Sequence, residues 1–399
     1  MHPLNRFIDS MTGKRVIVIG DAMLDEYLYG QATRMSREAP VPVLEFTERR
    51  VIPGGAANPA VNTARLGART TLIGVIGGDT AGRELHTALA ERGVDTSGLI
   101  TVEPRPTIVK QRIMAQMGLR FPQQVARIDR IDRSPLEDAQ RRAVLDMLTR
   151  CLGDHAVDAV LVSDYRSGLI DSALGEAIVA QCRASGVLLA VDAQGDFDKY
   201  VGCGVLKCNA DEAAAYPGAP LQSDSDFAHA AAALADRIRI GGGVFVARGA
   251  AGITVGVRQD GDLHAQHVPA GHIEDVFDTV GAGDTAIAVI ALALVCGADV
   301  AQAAALANAA SGVVVRRLGN YAPSPDELRA ALRGARNEAR TDHRSIHRPS
   351  PQPLSLRGEG GSRSGAARYA TCCRGDPSGR LHIGPSRRGG PIFRAYPHL

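Results

Sequence analysis

Between residues 15 and 316 the chain alternates short β-branched runs with helical stretches, and this rhythm constrains the fold more than any other feature. Residues 15–19 read as a parallel strand buried on both faces, ending at Gly20-Asp21. Further strands are expected at 70–76, 157–163, 187–192, 205–207 and 244–247, and a hairpin at 253–257 with 263–268. Helical patterns fill the intervals at 56–66, 83–92, 136–151, 172–185, 211–215 and 227–239, and two apolar helices follow at about 283–295 and 300–316. Such alternation predicts an α/β fold built on a doubly wound sheet. The short strands at about 26–46 and 107–128 break the alternation, and we expect them to form a small β lid. Pro40 and Pro42 suit an edge there, not a central strand.

The 399 residues are 45% hydrophobic, enough for one large α/β domain. Aromatic residues make up 4% and Trp is absent, which argues against base stacking and aromatic sugar platforms. A net charge of +2 predicts neither a nucleic-acid nor a membrane partner. It conceals an asymmetry: beyond Arg340, ten Arg stand against three acidic residues, a net +7 that leaves −5 for the rest. Residues 1–334 are therefore expected to form the domain. Residues 335–399, rich in Pro, Gly, Ser and Arg, are expected to form a disordered basic tail. The abrupt change of composition also fits a frame-shifted or read-through end. The seven cysteines, an odd number without zinc spacing, are expected to be free thiols in a reducing cytoplasm. The first twelve residues lack a signal-peptide core, and no run reaches the ~20 apolar residues of a membrane span.

Four segments carry candidate chemistry. Asp278-Thr279-Val280-Gly281-Ala282-Gly283-Asp284-Thr285 opens an apolar helix. Its backbone N–H groups suit an anion such as a migrating phosphoryl group. Asp284 in the same turn can accept a proton from a hydroxyl attacking phosphorus. An ordinary glycine-rich helix entry with a first-turn acid has the same pattern. Pro53-Gly54-Gly55-Ala56-Ala57-Asn58 enters another helix, as a polyhydroxy-ligand loop or as a plain tight turn. Asp25 follows the first strand, where ligands of open α/β sheets gather, though a solvated turn residue would look alike. Asn209-Ala210-Asp211-Glu212 would hold hydrated magnesium or simply cap a helix.

Together and in this order, these segments resemble the ribokinase-like (PfkB) sugar kinases over about residues 14–331. Gly20 to Asp25, Ser36 to Val43, Pro53 to Asn58, Ser163-Asp164-Tyr165 and Phe277 to Thr285 are similar to the heptose-7-phosphate kinase branch. That resemblance implies ATP and Mg2+ as cofactors and phosphorylation of heptose 7-phosphate at its anomeric oxygen. It also implies a cytoplasmic role in ADP-heptose and lipopolysaccharide core synthesis, and a homodimer through the lid. It assigns Asp284 as base, and the N–H groups of Gly281, Ala282 and Gly283 as the anion hole. Asp25, Gly54, Gly55 and Asn58 would hold sugar hydroxyls, and Arg37 and Arg112 the substrate phosphate. Asn209 and Glu212 would position magnesium and ATP phosphates, with Gly249 and Gly252 in the nucleotide loop and Asn308 near adenine.

The chain departs from that branch at Asp192-Ala193-Gln194-Gly195, where Asp-Pro-Lys-Gly is usual. Lys207-Cys208 replaces Thr-Pro before Asn209, and Lys207 would restore a cation nearby. Ala247 replaces a common Thr and Arg166 a common Lys. Two alternatives stay open: another sugar or nucleoside kinase of the family, and a non-catalytic sugar-phosphate binding protein. The branch also occurs fused to a nucleotidyltransferase, a Rossmann-like unit with a His-x-x-His motif. The tail offers only His382-Ile383-Gly384-Pro385, on a segment too short to build that domain, so a kinase alone, or a gene that lost its second half, is expected.

Overall fold

The strand β1 (Arg15–Gly20) shows why the alternating pattern folds as it does. Val16 and Val18 enter one hydrophobic cluster, and Ile17 and Ile19 enter another on the opposite face. A strand covered on both sides needs apolar residues at every position. A computed structural model describes residues 2–333 apart from 119–120, 155, 217, 260–261 and 272–275. These belong to the compact unit Met1–His347. The basic tail expected from residue 335 onward lies outside the described residues, as do Cys372 and Cys373.

In chain order the other strands are β2 (Ala22–Met35), β3 (Pro42–Gly55), β4 (Arg69–Ile76), β5 (Val94–Asp95), β6 (Leu99–Thr101) and β7 (Ile108–Gln116). They continue with β8 (Gln123–Arg130), β9 (Ala159–Asp164), β10 (Leu188–Ala193), β11 (Val205–Asn209), β12 (Gly243–Ala247), β13 (Gly252–Gln259) and β14 (Asp262–Pro269). The main sheet runs β14-β13-β12-β11-β10-β9-β1-β4-β5, with β6 paired to β4. From β12 to β5 all pairings are parallel; β13 and β14 add an antiparallel hairpin. Chain order reverses at β1, which lies between β4 and β9. Ligands of such sheets bind at the carboxyl ends of the strands beside that reversal.

Helix Ala282–Val295 is apolar all round, and every residue from Asp284 to Ala293 is buried. It packs between helices Ala57–Arg65 and Val300–Val314 and also meets β9, β10 and β11, so no face is left for water. An N-terminal helix, Asn5–Met11, and the short β5 and β6 were not apparent in the sequence, because each is too short to show a period.

The lid is a second sheet of order β3-β2-β7-β8. Its first hairpin is longer than the expected segment: β2 and β3 pair from Ala22↔Gly55 out to Met35↔Pro42. Alternation is weak there because the outer half of the hairpin is exposed, and neither face demands apolar residues. β3 forms an edge, which accommodates Pro42 and Pro53. Among the described residues, no helix is long and apolar enough to cross a membrane.

Candidate active site

The carboxyl ends of β1 and β9 meet at Asp21, whose Oδ2 accepts the N–H groups of Tyr165 (2.9 Å) and Ser167 (3.1 Å). This fixes the turn after β9 and aims the Tyr165 side chain across the crevice. Tyr165 Oη donates to Asp284 Oδ1 at 2.7 Å, and Asn58 Nδ2 donates to Asp284 Oδ2 at 2.8 Å. Asp284 is 6% exposed. Burial and the nearby charge of Asp192 push its carboxyl up to about 6, against the bonds from Tyr165 and Asn58 and the charge of Lys207. Such a carboxylate is ionised at neutral pH yet basic enough to accept a proton. Burial raises the Tyr165 hydroxyl well above its ordinary range, so it serves Asp284 as a donor.

Asp284 stands in the first turn of its helix, beside N–H groups that have no intrahelical partner. Gly281 caps that helix at φ +80°. A Cβ there would meet Asn58 Nδ2 at 2.8 Å and Asn320 Oδ1 at 2.9 Å, so only glycine fits. Ala282 N–H turns back toward the Thr279 carbonyl at 3.4 Å. Lys207 lies beside this turn: its Nζ is 2.8 Å from the point a Cβ on Gly283 would occupy. Burial pulls the Lys207 ammonium down, but Asp192, at 2.8 and 3.0 Å, outweighs it and holds the pKa above the ordinary value.

On the lid side, Asp25↔Lys110 and Tyr27↔Arg112 are register partners, so these four residues share one face. Arg112 Nη1 donates to Asp25 Oδ1 at 2.7 Å, with side chains only 9% and 6% exposed. Asn320 Nδ2 donates to Asp25 Oδ2 at 2.6 Å. Gly54 lets the pair approach: a Cβ there would lie 2.5 Å from Asp25 Oδ2, and Gly55 closes the strand. Lys110 Nζ sits 4.8 Å from the Tyr165 ring centroid. Burial lowers its pKa, with Asp25 opposing.

Asp284, Asn58, Gly281, Gly283, Asp25, Gly54 and Arg112 thus come together. The other residues singled out in the sequence have these partners and places. Asn58 directs its N–H to Asp284, and Arg112 is committed to Asp25. Arg37, exposed between β2 and β3, stands about 30 Å along the strand from Asp25 and does not reach the cluster of its own chain. Asn209 and Glu212 form a capping box on helix Ala210–Ala215, each side chain accepting the other's backbone N–H at 2.8 Å. Gly249 opens the turn between β12 and β13, and Gly252 begins β13. Asn308 Nδ2 donates to the carbonyls of Val268 (2.9 Å) and Pro269 (3.3 Å), pinning the end of β14.

Sequence reasoning missed Lys110 and Asn320 and did not assign a role to the Tyr165 hydroxyl. Tyr165 lay inside a quoted motif. Asn320, in Gly319-Asn320, looked like any turn residue, and nothing in its spacing links it to Asp25.

The chain matches the pfkB family carbohydrate kinase pattern over residues 14–327. It is 36% identical to the Bifunctional protein HldE of Citrifermentans bemidjiense, covering 82% of this chain and 65% of that protein. With the Bifunctional protein HldE of Caulobacter vibrioides it is 39% identical, again over 82% and 65%. The chain therefore spans about 65% of the length of these relatives. Among solved structures, phosphofructokinase-2 from Escherichia coli in complex with substrates and products superposes with a TM-score of 0.65, over 81% of this chain and 99% of that one, at 19% identity. Arabidopsis thaliana ribokinase complexed with ribose and ATP gives 0.60, over 80% and 99%, at 20% identity. The chain belongs to the pfkB family of carbohydrate kinases and is a sugar kinase with the ribokinase-like fold.

Proposed function

We propose that this family member transfers the γ-phosphoryl group of ATP to the anomeric hydroxyl of a heptose 7-phosphate. The observation that carries the reading is the position of Asp284, basic and doubly hydrogen-bonded, in the first turn of a helix whose N–H groups favour an anion. Asp284 accepts the proton from the sugar hydroxyl as the new O–P bond forms, and the bond from Pγ to the bridging oxygen of ADP breaks. The N–H groups around Gly281, Ala282 and Gly283, with Lys207, carry the charge of the phosphoryl group in transit.

Asp25, fixed by Arg112 and Asn320, presents its carboxylate to sugar hydroxyls. Lys110 supports a phosphorylated sugar: it is a partly buried ammonium on the site face that forms no ion pair among the described residues. The heptose assignment rests on the sequence resemblance and on the relatives named HldE. Nucleotide phosphates would lie along Asn209 and the turn at Gly249 and Gly252, with adenine toward Asn308.

Magnesium fits one way. Glu212 Oε2 and the Asn209 amide oxygen are both engaged in the helix cap, leaving one carboxylate oxygen of Glu212 unengaged there, and no cluster of three His, Cys, Asp or Glu side chains placed to hold a metal exists among the described residues. That donor set suits an ion that keeps most of its waters and completes its shell with phosphates. Such an ion would offset phosphate charge. A second copy is proposed as partner, through lid side chains Met35, Phe46 and Ile128, each more than half exposed.

A coupled assay of ADP release tests the reading on heptose 7-phosphate, ribose, fructose 6-phosphate and adenosine. Turnover confined to heptose 7-phosphate is expected. Turnover on another sugar or on adenosine, with none on heptose 7-phosphate, would overturn it.

A further inference from the structure

Asn58 and Asn62 stand four residues apart on helix Ala57–Arg65, so their side chains lie one above the other on one face. Asn62 and Thr285 are fully buried, each 0% exposed. An amide at that depth must place both ends on partners or cost stability. Here both ends are placed. Thr285 Oγ1 donates to Asn62 Oδ1 at 2.8 Å. Asn62 Nδ2 donates at 3.0 Å to both the side-chain and the backbone oxygen of Asn58. Asn58 Nδ2 then donates to Asp284 Oδ2. Thr285 adjoins Asp284 in sequence, so the chain of bonds closes a ring between two helices.

The direction of this ring is locked. Turning the Asn58 amide over would set its carbonyl oxygen against the Asp284 carboxylate. Turning Asn62 over would set its oxygen against two oxygens of Asn58, one of them a main-chain carbonyl that cannot rotate away. That backbone bond is the pin, and the Thr285 hydroxyl holds the other end of the Asn62 amide.

We propose that Asn62, held by Thr285, is a positioning residue that keeps the Asn58 N–H on Asp284 and so maintains that carboxylate in its proton-accepting form. The proposal rests on reading Asp284 as the base. Tyr165 and Lys207 also favour the ionised form of Asp284, and Asp192 opposes it. The contribution assigned to Asn62 is to hold the charged hydrogen bond that Asn58 donates to Asp284.

Asn62→Leu removes the lock without adding charge. In the full chain, the 13C carboxyl titration of Asp284, assigned with the Asp284→Asn chain, is expected to rise by about one pH unit. The acid limb of the kcat/KM profile should rise with it. Thr285→Val should shift both the same way by less, and Thr285→Ser should restore native values. If Asn62→Leu fails to fold, the two Thr285 variants decide alone. Folded Asn62→Leu and Thr285→Val chains whose Asp284 titrates as in the native chain, with only a lower melting temperature, would make the ring purely structural and overturn the proposal. A shifted carboxyl titration with an unmoved acid limb would support the positioning role and reject Asp284 as the base.

Discussion

Lys207 Nζ lies 2.8 Å from Asp192 Oδ2 and also 2.8 Å from where a Cβ on Gly283 would sit. The ion pair therefore borders the helix terminus where the phosphoryl group is proposed to pass. Asp192 and Lys207 are register partners across β10 and β11, and we propose that Lys207 supplies the cation that Gln194 does not. Lys207→Met should lower kcat by about 10²-fold, the scale of losing one preorganised charge donor. It should also destabilise the fold by stranding Asp192. Lys207→Met combined with Asp192→Asn should recover the melting temperature but not the rate. Steady-state kinetics with thermal melts of both chains check this.

Asp284→Asn should abolish proton acceptance, with kcat falling on the order of 10²-fold or more. The same change should stabilise the protein above pH 6. The folded state holds this carboxyl at about 6, above its ordinary 3.8, so ionisation opposes folding once the pH passes that window. Native activity should fall as pH drops through about 6, when the base takes up a proton. Rate profiles and denaturant melts at pH 5 and 8 test the two signs together.

Asp21 provides a related test outside the reacting centre. Among the described residues its buried Oδ1 has no hydrogen-bond partner, and burial with the charge of Asp164 raises the carboxyl to about 6. Between pH 4 and 6 the folded chain binds more protons than the unfolded chain, so this residue makes stability decline as pH rises. An asparagine side chain at this position would retain an acceptor for the two N–H groups of the turn. Asp21→Asn should gain roughly 2–3 kcal/mol over the native chain between pH 4 and 7. An unchanged stability difference across that range would contradict the assignment.

The two cations of β7 should separate structure from binding. Arg112→Met leaves Asp25 buried without its ion-pair partner and should cost about 3–5 kcal/mol. Lys110→Met breaks no ion pair and should leave stability within about 0.5 kcal/mol. It should instead raise KM for the phosphorylated sugar by about tenfold or more, reflecting one lost charged contact. Melting curves and KM values for both chains decide the distinction.

The lid face predicts the assembly. Phe46→Glu with Ile128→Glu should shift the chain from dimer to monomer in sedimentation velocity, because charge replaces exposed apolar contact. A native chain that sediments as a monomer at all concentrations tested would remove the homodimer proposal.

Local chemistry made much of this protein legible. The strands around β1 are apolar because both faces are covered, and the helix from Ala282 is apolar because it is enclosed. Each pattern is a property of neighbouring residues, so a period of two, a period near four or a continuous apolar run reveals it. Asp284 and Gly281 stood out for the same reason, since a glycine turn entering a helix beside an acid is a local arrangement. The lid hairpin was only partly visible because much of it is solvated.

The pairings that give these residues their chemistry were not local. Asn58 reaches Asp284 across 226 positions and Asn320 reaches Asp25 across 295. Their meeting depends on the sheet reversing at β1 and on the lid folding back through β2 and β7. The sequence alone determined the α/β alternation, the glycine turns and the acid beside them. The tertiary structure decided which partner each acid has, and hence that Asn58 serves Asp284, Arg112 serves Asp25 and Lys110 forms no ion pair among the described residues. Burial and distance set those assignments, and both are properties of the assembled chain.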